Sequence, residues 1–243
     1  MTAGVATLGN ANTYTGATVV GSGGILNINH SQALANTASI TVNSTGYAVI
    51  GAGLTISGKT ITISGTGANN FGALQGAASS STIWAGNIVV TSAGARIGGG
   101  DTGTLTISGV ISGGNGAMGP ILFSRANNST TILNAVNTYT ADTQLFANSG
   151  TGDTLKIGVD NAINAGSRLS VYAQTPATVA MTLDLNGHTP HAARSGYHHR
   201  RRPQTPLNRP PAMFSLWQIT APFPPSSPSA IRSRPIWRPL AES

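Results

Sequence analysis

The chain contains no cysteine, so neither a disulfide framework nor a thiolate metal site can be part of it. Acid is almost as scarce, with six Asp and Glu among 243 residues. Chemistry that depends on paired carboxylates therefore has little to draw on. Aromatic residues make up 5% of the chain. No stretch approaches the roughly 18 uninterrupted apolar residues of a membrane helix. The opening MTAGVATLGNANTY has neither the basic start nor the apolar run of a secretory signal, and no signal peptide is expected within it.

The charge that is present is unevenly placed. The net value is +7, which suggests nucleic acid until the chain is divided after Thr189. Residues 1–189 carry five cations and five aspartates and are neutral overall, whereas the last 54 residues hold eight arginines against Glu242. The same division leaves 30 of 31 glycines before it and 11 of 13 prolines after it. We read 1–189 as one folded unit of solenoid repeats and 190–243 as a basic, Pro/Arg-rich disordered tail, because Pro removes donors and fixes the backbone away from strand ladders.

Within 1–189, short apolar-alternating runs recur between Gly, Asn and Ser: ATVVG, GILNIN, SITVN, YAVIG, LTISG, TITISG, NIVVTS, TLTISG, TTILN, TLKIG, RLSVYA and MTLDLNG. In LTISGKTITISG, Leu54, Ile56, Ile61 and Ile63 alternate with Thr and Ser, which predicts strands with one dry and one wet face. Helices are not expected; ALANTAS is long enough only for a turn. NTYTGAT at 12–18 returns as NTYTADT at 137–143. Repetition with many short strands predicts an all-β solenoid whose coils bury their inward residues against one another. At about 20 residues per coil, 1–189 would make about nine coils and a rod of roughly 40 to 45 Å. A sandwich or open meander is the alternative architecture.

The segment TLGNANTYTGATVVGSGGILNI, Thr7 to Ile28, resembles the autotransporter-associated β-strand repeat of bacterial autotransporter passengers, and LDLNGHT, Leu183 to Thr189, is similar to such passengers too. In the second NTYT copy Ala141 and Asp142 replace Gly16 and Ala17. The resemblance implies a right-handed parallel β-helix displayed at the cell surface or outer membrane and exported through a C-terminal barrel. It also implies a non-catalytic passenger or stalk that projects or adheres. The partners so implied are glycans or proteins on host or neighbouring cells, with no specific nucleic acid and membrane contact only through a barrel. A β-helical glycan-active enzyme is the alternative.

Three readings compete for the tail. Arg200, Arg201 and Arg202, with Trp217 and Trp237 for stacking, would form a basic arm. A disordered linker is the second. The third is translation out of frame: HAARSGYHHRRRP read from its second codon bases can spell TLRGLGITTAGGP, which continues the repeat composition. We expect the third.

Candidate chemistry is sparse. His188, His191, His198 and His199 are the densest ligand cluster but lack a rigid frame or an acidic partner, so no metal or other cofactor is expected. GNGAMG, Gly114 to Gly119, matches a phosphate-binding pattern that needs a following helix, and a strand, PILFS, follows instead. Asp101 in GGGDTG is a lone carboxylate in a turn. Asp153 and Asp160 read as strand-end turn residues, and His30 is the only histidine before His188, so no catalytic trio forms. Tyr14 and Tyr139 occupy equivalent repeat positions, either packing on adjacent coils or offering an exposed ring to a glycan. The NST triplets at 43 and 128 are formal glycosylation acceptors.

Overall fold

Alternation of Ile, Leu and Val with Thr and Ser gives each short segment one face to bury, and glycine-rich corners let the next segment return above it. The computed structural model describes residues 4–115, 119–123, 127–147, 152–173, 181–190 and 219–220. Its strands begin with β1 (Val5–Leu8), β2 (Thr18–Val20), β3 (Ile25–Ile28), β4 (Ile40–Val42), β5 (Tyr47–Ile50), β6 (Thr55–Ile56) and β7 (Ile61–Gly65). After a 3-10 turn at Ala68–Asn70 come β8 (Leu74–Gly76), β9 (Ser81–Trp84), β10 (Ile88–Gly98), β11 (Thr104–Ile107), β12 (Ile111–Gly113) and β13 (Ile121–Phe123). The series ends with β14 (Thr130–Leu133), β15 (Thr143–Ala147), β16 (Thr154–Ile157), β17 (Leu169–Ala173), β18 (Thr182–Asp184) and β19 (Ile219–Thr220). ALANTAS is turn, as expected.

Every pairing between these strands is parallel, and together they wind a three-faced β-solenoid. The first face stacks β1, β3, β5, β8, the second half of β10, β13, β15 and β17. The second stacks β2, β4, β7, the first half of β10 and β12. The third stacks β6, β9, β11, β14, β16, β18 and β19. Strand β10 bends between Val90 and Ala95 and so belongs to two faces, with Gly94 at φ 68 in the bend.

Eight strands on the first face make seven repeats, fewer than the nine expected. The reason is coil length: Val5 pairs with Ile25 and Ile25 with Tyr47, but Ala48 pairs with Leu74 and Thr143 with Leu169, both 26 residues on. Seven spacings of about 4.8 Å give a column of about 34 Å.

The core is a set of aliphatic stacks. Ile40, Ile61, Ile88 and Ile111 lie in one register column, and Trp84, Ile107, Leu133 and Ile157 in another, all buried. Burying each such side chain contributes about 1.5–3 kcal/mol. Corners pack as closely as faces: a Cβ on Gly109 would land in the Gly86 carbonyl of the coil before, and one on Gly86 in the Lys59 carbonyl. Glycine is required where three coils meet backbone to backbone.

Of the tail, Pro190, Ile219 and Thr220 are described, and the last two pair with Leu183 and Asp184 of β18. The remaining tail residues, and with them the linker, basic-arm and frame readings, lie outside the described residues.

Candidate binding face

The third face carries the longest run of outward hydroxyls. Ser81, Thr104, Thr130, Thr154 and Thr182 are direct register partners on five successive strands, each at least partly exposed. Two residues along, Ile83, Thr106, Ile132, Lys156 and Asp184 form a second outward column. The hydroxyl column spans about 19 Å at the strand spacing. Each hydroxyl offers one donor and two acceptor sites on a rigid frame, and the threonine and isoleucine methyls lie beside them. Such a ribbon suits a ligand that alternates hydroxyl and C–H surface.

Parts of the first face are covered instead. Arg96 on β10 is outward in register yet only 2% exposed. Its Nη1 donates to Asn70 O at 2.5 Å, and its guanidinium lies 5.2 Å from the Phe146 ring centroid, a cation–π contact.

The aspartates are dispersed. Asp142 pairs with Arg168 across coils, a hydrogen bond and charge contact that raises the guanidinium pKa further. Asp184 pairs with Lys156 at 3.4 Å. Asp160 lies in the turn after β16, whereas Asp153, directly before β16, lies in no turn. Asp153 is buried and its Oδ1 accepts from Ser129 N–H at 2.8 Å and Ser129 Oγ at 3.0 Å. Asp160 Oδ1 accepts from Thr189 N–H at 2.9 Å and lies 3.3 Å from His188 Nδ1. His191, His198 and His199 lie outside the described residues, as do Arg200, Arg201, Arg202, Trp217 and Trp237. Among the described residues no group of three or more His, Asp or Glu is placed to hold a metal.

The remaining candidates fall at turns. His30 Nδ1 accepts from Gln32 N–H at 3.1 Å and so closes a turn. Asp101 sits in a corner where a Cβ on Gly100 or Gly103 would strike the backbone at Ala77 and Ala78, so close coil packing accounts for these glycines. Gly114 follows β12 at φ 53 and leads toward β13; residues 116–118 of GNGAMG lie outside the described residues. Asn43 and Asn128 are both exposed at turns.

The two tyrosines share one bonding pattern. Tyr14 Oη lies 2.6 Å from Thr18 Oγ1, which lies 2.9 Å from Thr37 Oγ1 in the next coil, and Thr37 donates to Gly16 O at 2.6 Å. Tyr139, Thr143, Ser167 and Ala141 O repeat the chain at 2.9, 2.8 and 2.7 Å. Asn12 Nδ2 donates to Ala33 O and Asn137 Nδ2 to Ala162 O. The carbonyl can only accept, so each hydroxyl donates onward and the tyrosine heads the relay. The difference is exposure: Tyr139 is fully buried and Tyr14 is 37% exposed.

The hydroxyl column was not visible in the sequence because its members are 23, 26, 24 and 28 residues apart. A local signal was present: TLTI, TTIL, TLKI and TLDL all open on threonine. No family model, characterised protein or solved structure matches the chain.

Proposed function

We propose that the chain is a non-catalytic rod segment of the autotransporter-passenger kind, displayed at a cell surface, that projects and adheres through its third face. The observation that carries this is the in-register column from Ser81 to Thr182. A rigid ribbon of repeated weak sites gains affinity by multivalency along an extended partner, and surface glycans of host or neighbouring cells have the matching chemistry. The use of the carboxylates supports a structural role, since Asp142, Asp153 and Asp184 are each bound to a neighbouring coil.

The test is a glycan-array and cell-adhesion assay on the full chain and on the triple variant Thr104→Val, Thr130→Val, Thr154→Val. Valine keeps shape and strand preference while removing the hydroxyls. Binding is expected to fall at least about tenfold, since three lost hydrogen bonds of about 1 kcal/mol exceed 1.4 kcal/mol. Equal binding by the triple variant, with unchanged circular dichroism, would sink the assignment of this face.

A further inference from the structure

The outward positions of the third face change from coil to coil with a period of two. Thr55, Ile83, Thr106 and Ile132 are successive register partners and alternate a hydroxyl with an aliphatic side chain. Two residues further along each coil, Ser57, Ala85 and Ser108 alternate in the same phase. They are stacked by Ala85 N–H donating to Ile56 O at 2.8 Å and Ser108 N–H to Trp84 O at 2.9 Å. In the sequence the alternation is one pentapeptide, LTISG, at 54–58 and again at 105–109, on the two coils that flank the coil of Ile83 and Ala85.

The adjoining column has no such alternation, because Ser81, Thr104 and Thr130 offer a hydroxyl on every coil. One edge of the ribbon therefore repeats at about 4.8 Å and the other at about 9.6 Å, the spacings of one coil and of two. None of these side chains carries charge, and all are at least partly exposed. Lys156 and Asp184 take the next two places in the alternating column and pair with each other at 3.4 Å, so the pattern stops there without leaving a net charge.

We propose that the third face takes a neutral, unbranched glycan of diequatorially linked pyranose rings, lying along the solenoid axis with one ring on each coil from β6 to β14. In such a chain each ring is turned over relative to the last, so the advance per ring is close to the strand spacing and the chemical repeat is two rings. Each edge presents in turn the hydroxymethyl arm and the secondary hydroxyls of successive rings, and these call for different neighbours on alternate coils. The constant hydroxyl column bonds ring hydroxyls at every step. Ile83 and Ile132 lie against C–H surface, and Thr55 and Thr106 meet hydroxyls. An axially linked glycan of the same sugar winds into a helix and keeps neither period. The proposal rests on the third face being a glycan surface, and adds the charge, linkage geometry and direction of the glycan.

The experiment titrates the full chain with cello-oligosaccharides and malto-oligosaccharides, which share one sugar and differ in linkage, and reads affinity by calorimetry. Cellotetraose is expected to bind at least about tenfold more tightly than cellobiose, with little further gain from longer chains, and maltotetraose no more tightly than maltose. Ile83→Thr combined with Ile132→Thr makes the alternating column uniformly polar at two outward positions. This double variant is expected to lose at least about fivefold in cellotetraose affinity, with unchanged circular dichroism and melting temperature. Equal affinity for the two tetraoses, no gain from cellobiose to cellotetraose, or full affinity in a folded double variant would each overturn the proposal and leave a glycan-binding face in place. Absence of binding to glycans of every kind would remove that reading as well. Self-association on sedimentation that the double variant abolishes would assign the alternating column to a second copy of the chain and overturn the proposal.

Discussion

Tyr139 Oη lies 2.9 Å from Thr143 Oγ1, and both side chains are fully buried. Burial pushes the Tyr139 phenol far above its ordinary value near 10. The relay has the same requirement, because only the neutral phenol can donate into it. A group whose folded pKa is raised contributes stability that is complete below its unfolded pKa and is lost as pH rises through the folded one. The chain is therefore expected to lose stability progressively above about pH 10. Tyr139→Phe is expected to cost about 1 kcal/mol at pH 7 and to flatten this alkaline limb. Thermal melts of both proteins between pH 8 and 12 measure it; parallel curves would count against the buried phenol as the cause.

Thr131 presents the opposite case, a buried hydroxyl without a hydrogen-bond partner. It is 1% exposed and stands between Leu105 and Leu155 in the inward column of the third face. Desolvation without compensation costs about 1–3 kcal/mol. Thr131→Val removes the hydroxyl with little change of shape and is expected to raise stability by about 1–2 kcal/mol. Thr82 is the control, because its Oγ1 donates to Thr104 O at 3.2 Å; Thr82→Val is expected to be neutral or to cost up to about 1 kcal/mol. Denaturant melts of the two variants should move apart, and a destabilised Thr131→Val would mean that the hydroxyl is satisfied in solution.

Strand positions were legible because alternation is a local property. All twelve apolar-alternating runs contain strands, and Leu54, Ile56, Ile61 and Ile63 point inward or toward the core as their pattern required. Strands β1, β8, β9, β12, β15 and β19 lie outside these runs and PILFS: Leu74–Gln75–Gly76 and Ile111–Ser112–Gly113 are too short to alternate twice, and Ile219–Thr220 falls in the tail. Coil number was misjudged because the segments 30–39 and 66–72 lengthen individual turns without changing composition. Nor does sequence reveal that Arg96 lies under a loop or that Asp153 is buried, since both depend on what the adjacent coil places over them. The burial of Tyr139 has the same origin: its Asn-Thr-Tyr-Thr segment carries no local mark of the coil that lies over it.

The corner at Gly86 and Gly109 leads to a stability prediction of a different kind. A methyl on Gly109 would occupy the carbonyl of Gly86, so the coils must separate locally to admit it. Gly109→Ala is expected to cost at least about 2 kcal/mol, within the range for overpacking. Gly9→Ala meets nothing within 4 Å and is expected to change stability by less than about 0.5 kcal/mol. Urea unfolding of the two variants separates a packing requirement from general glycine entropy, and similar losses in both would remove the close-approach explanation.

Asp153 and Asp184 both bind an adjacent coil, yet their environments predict unequal effects. Asp153 is 2% exposed and receives both the N–H and the hydroxyl of Ser129. Truncation strands these donors in the core, so Asp153→Ala is expected to cost about 3 kcal/mol, while Asp153→Asn keeps one acceptor and is expected to lose about half of that. In the Lys156–Asp184 pair the side chains retain 34% and 28% exposure, and solvent screens much of the attraction. Asp184→Asn is expected to cost no more than about 0.5 kcal/mol, and that loss should vanish in about 1 M salt. Hydrogen exchange locates the difference: Asp153→Ala should speed exchange at Ser129 and Thr154, and a variant that leaves both amides as protected as before would show that the carboxylate does not hold these two coils together.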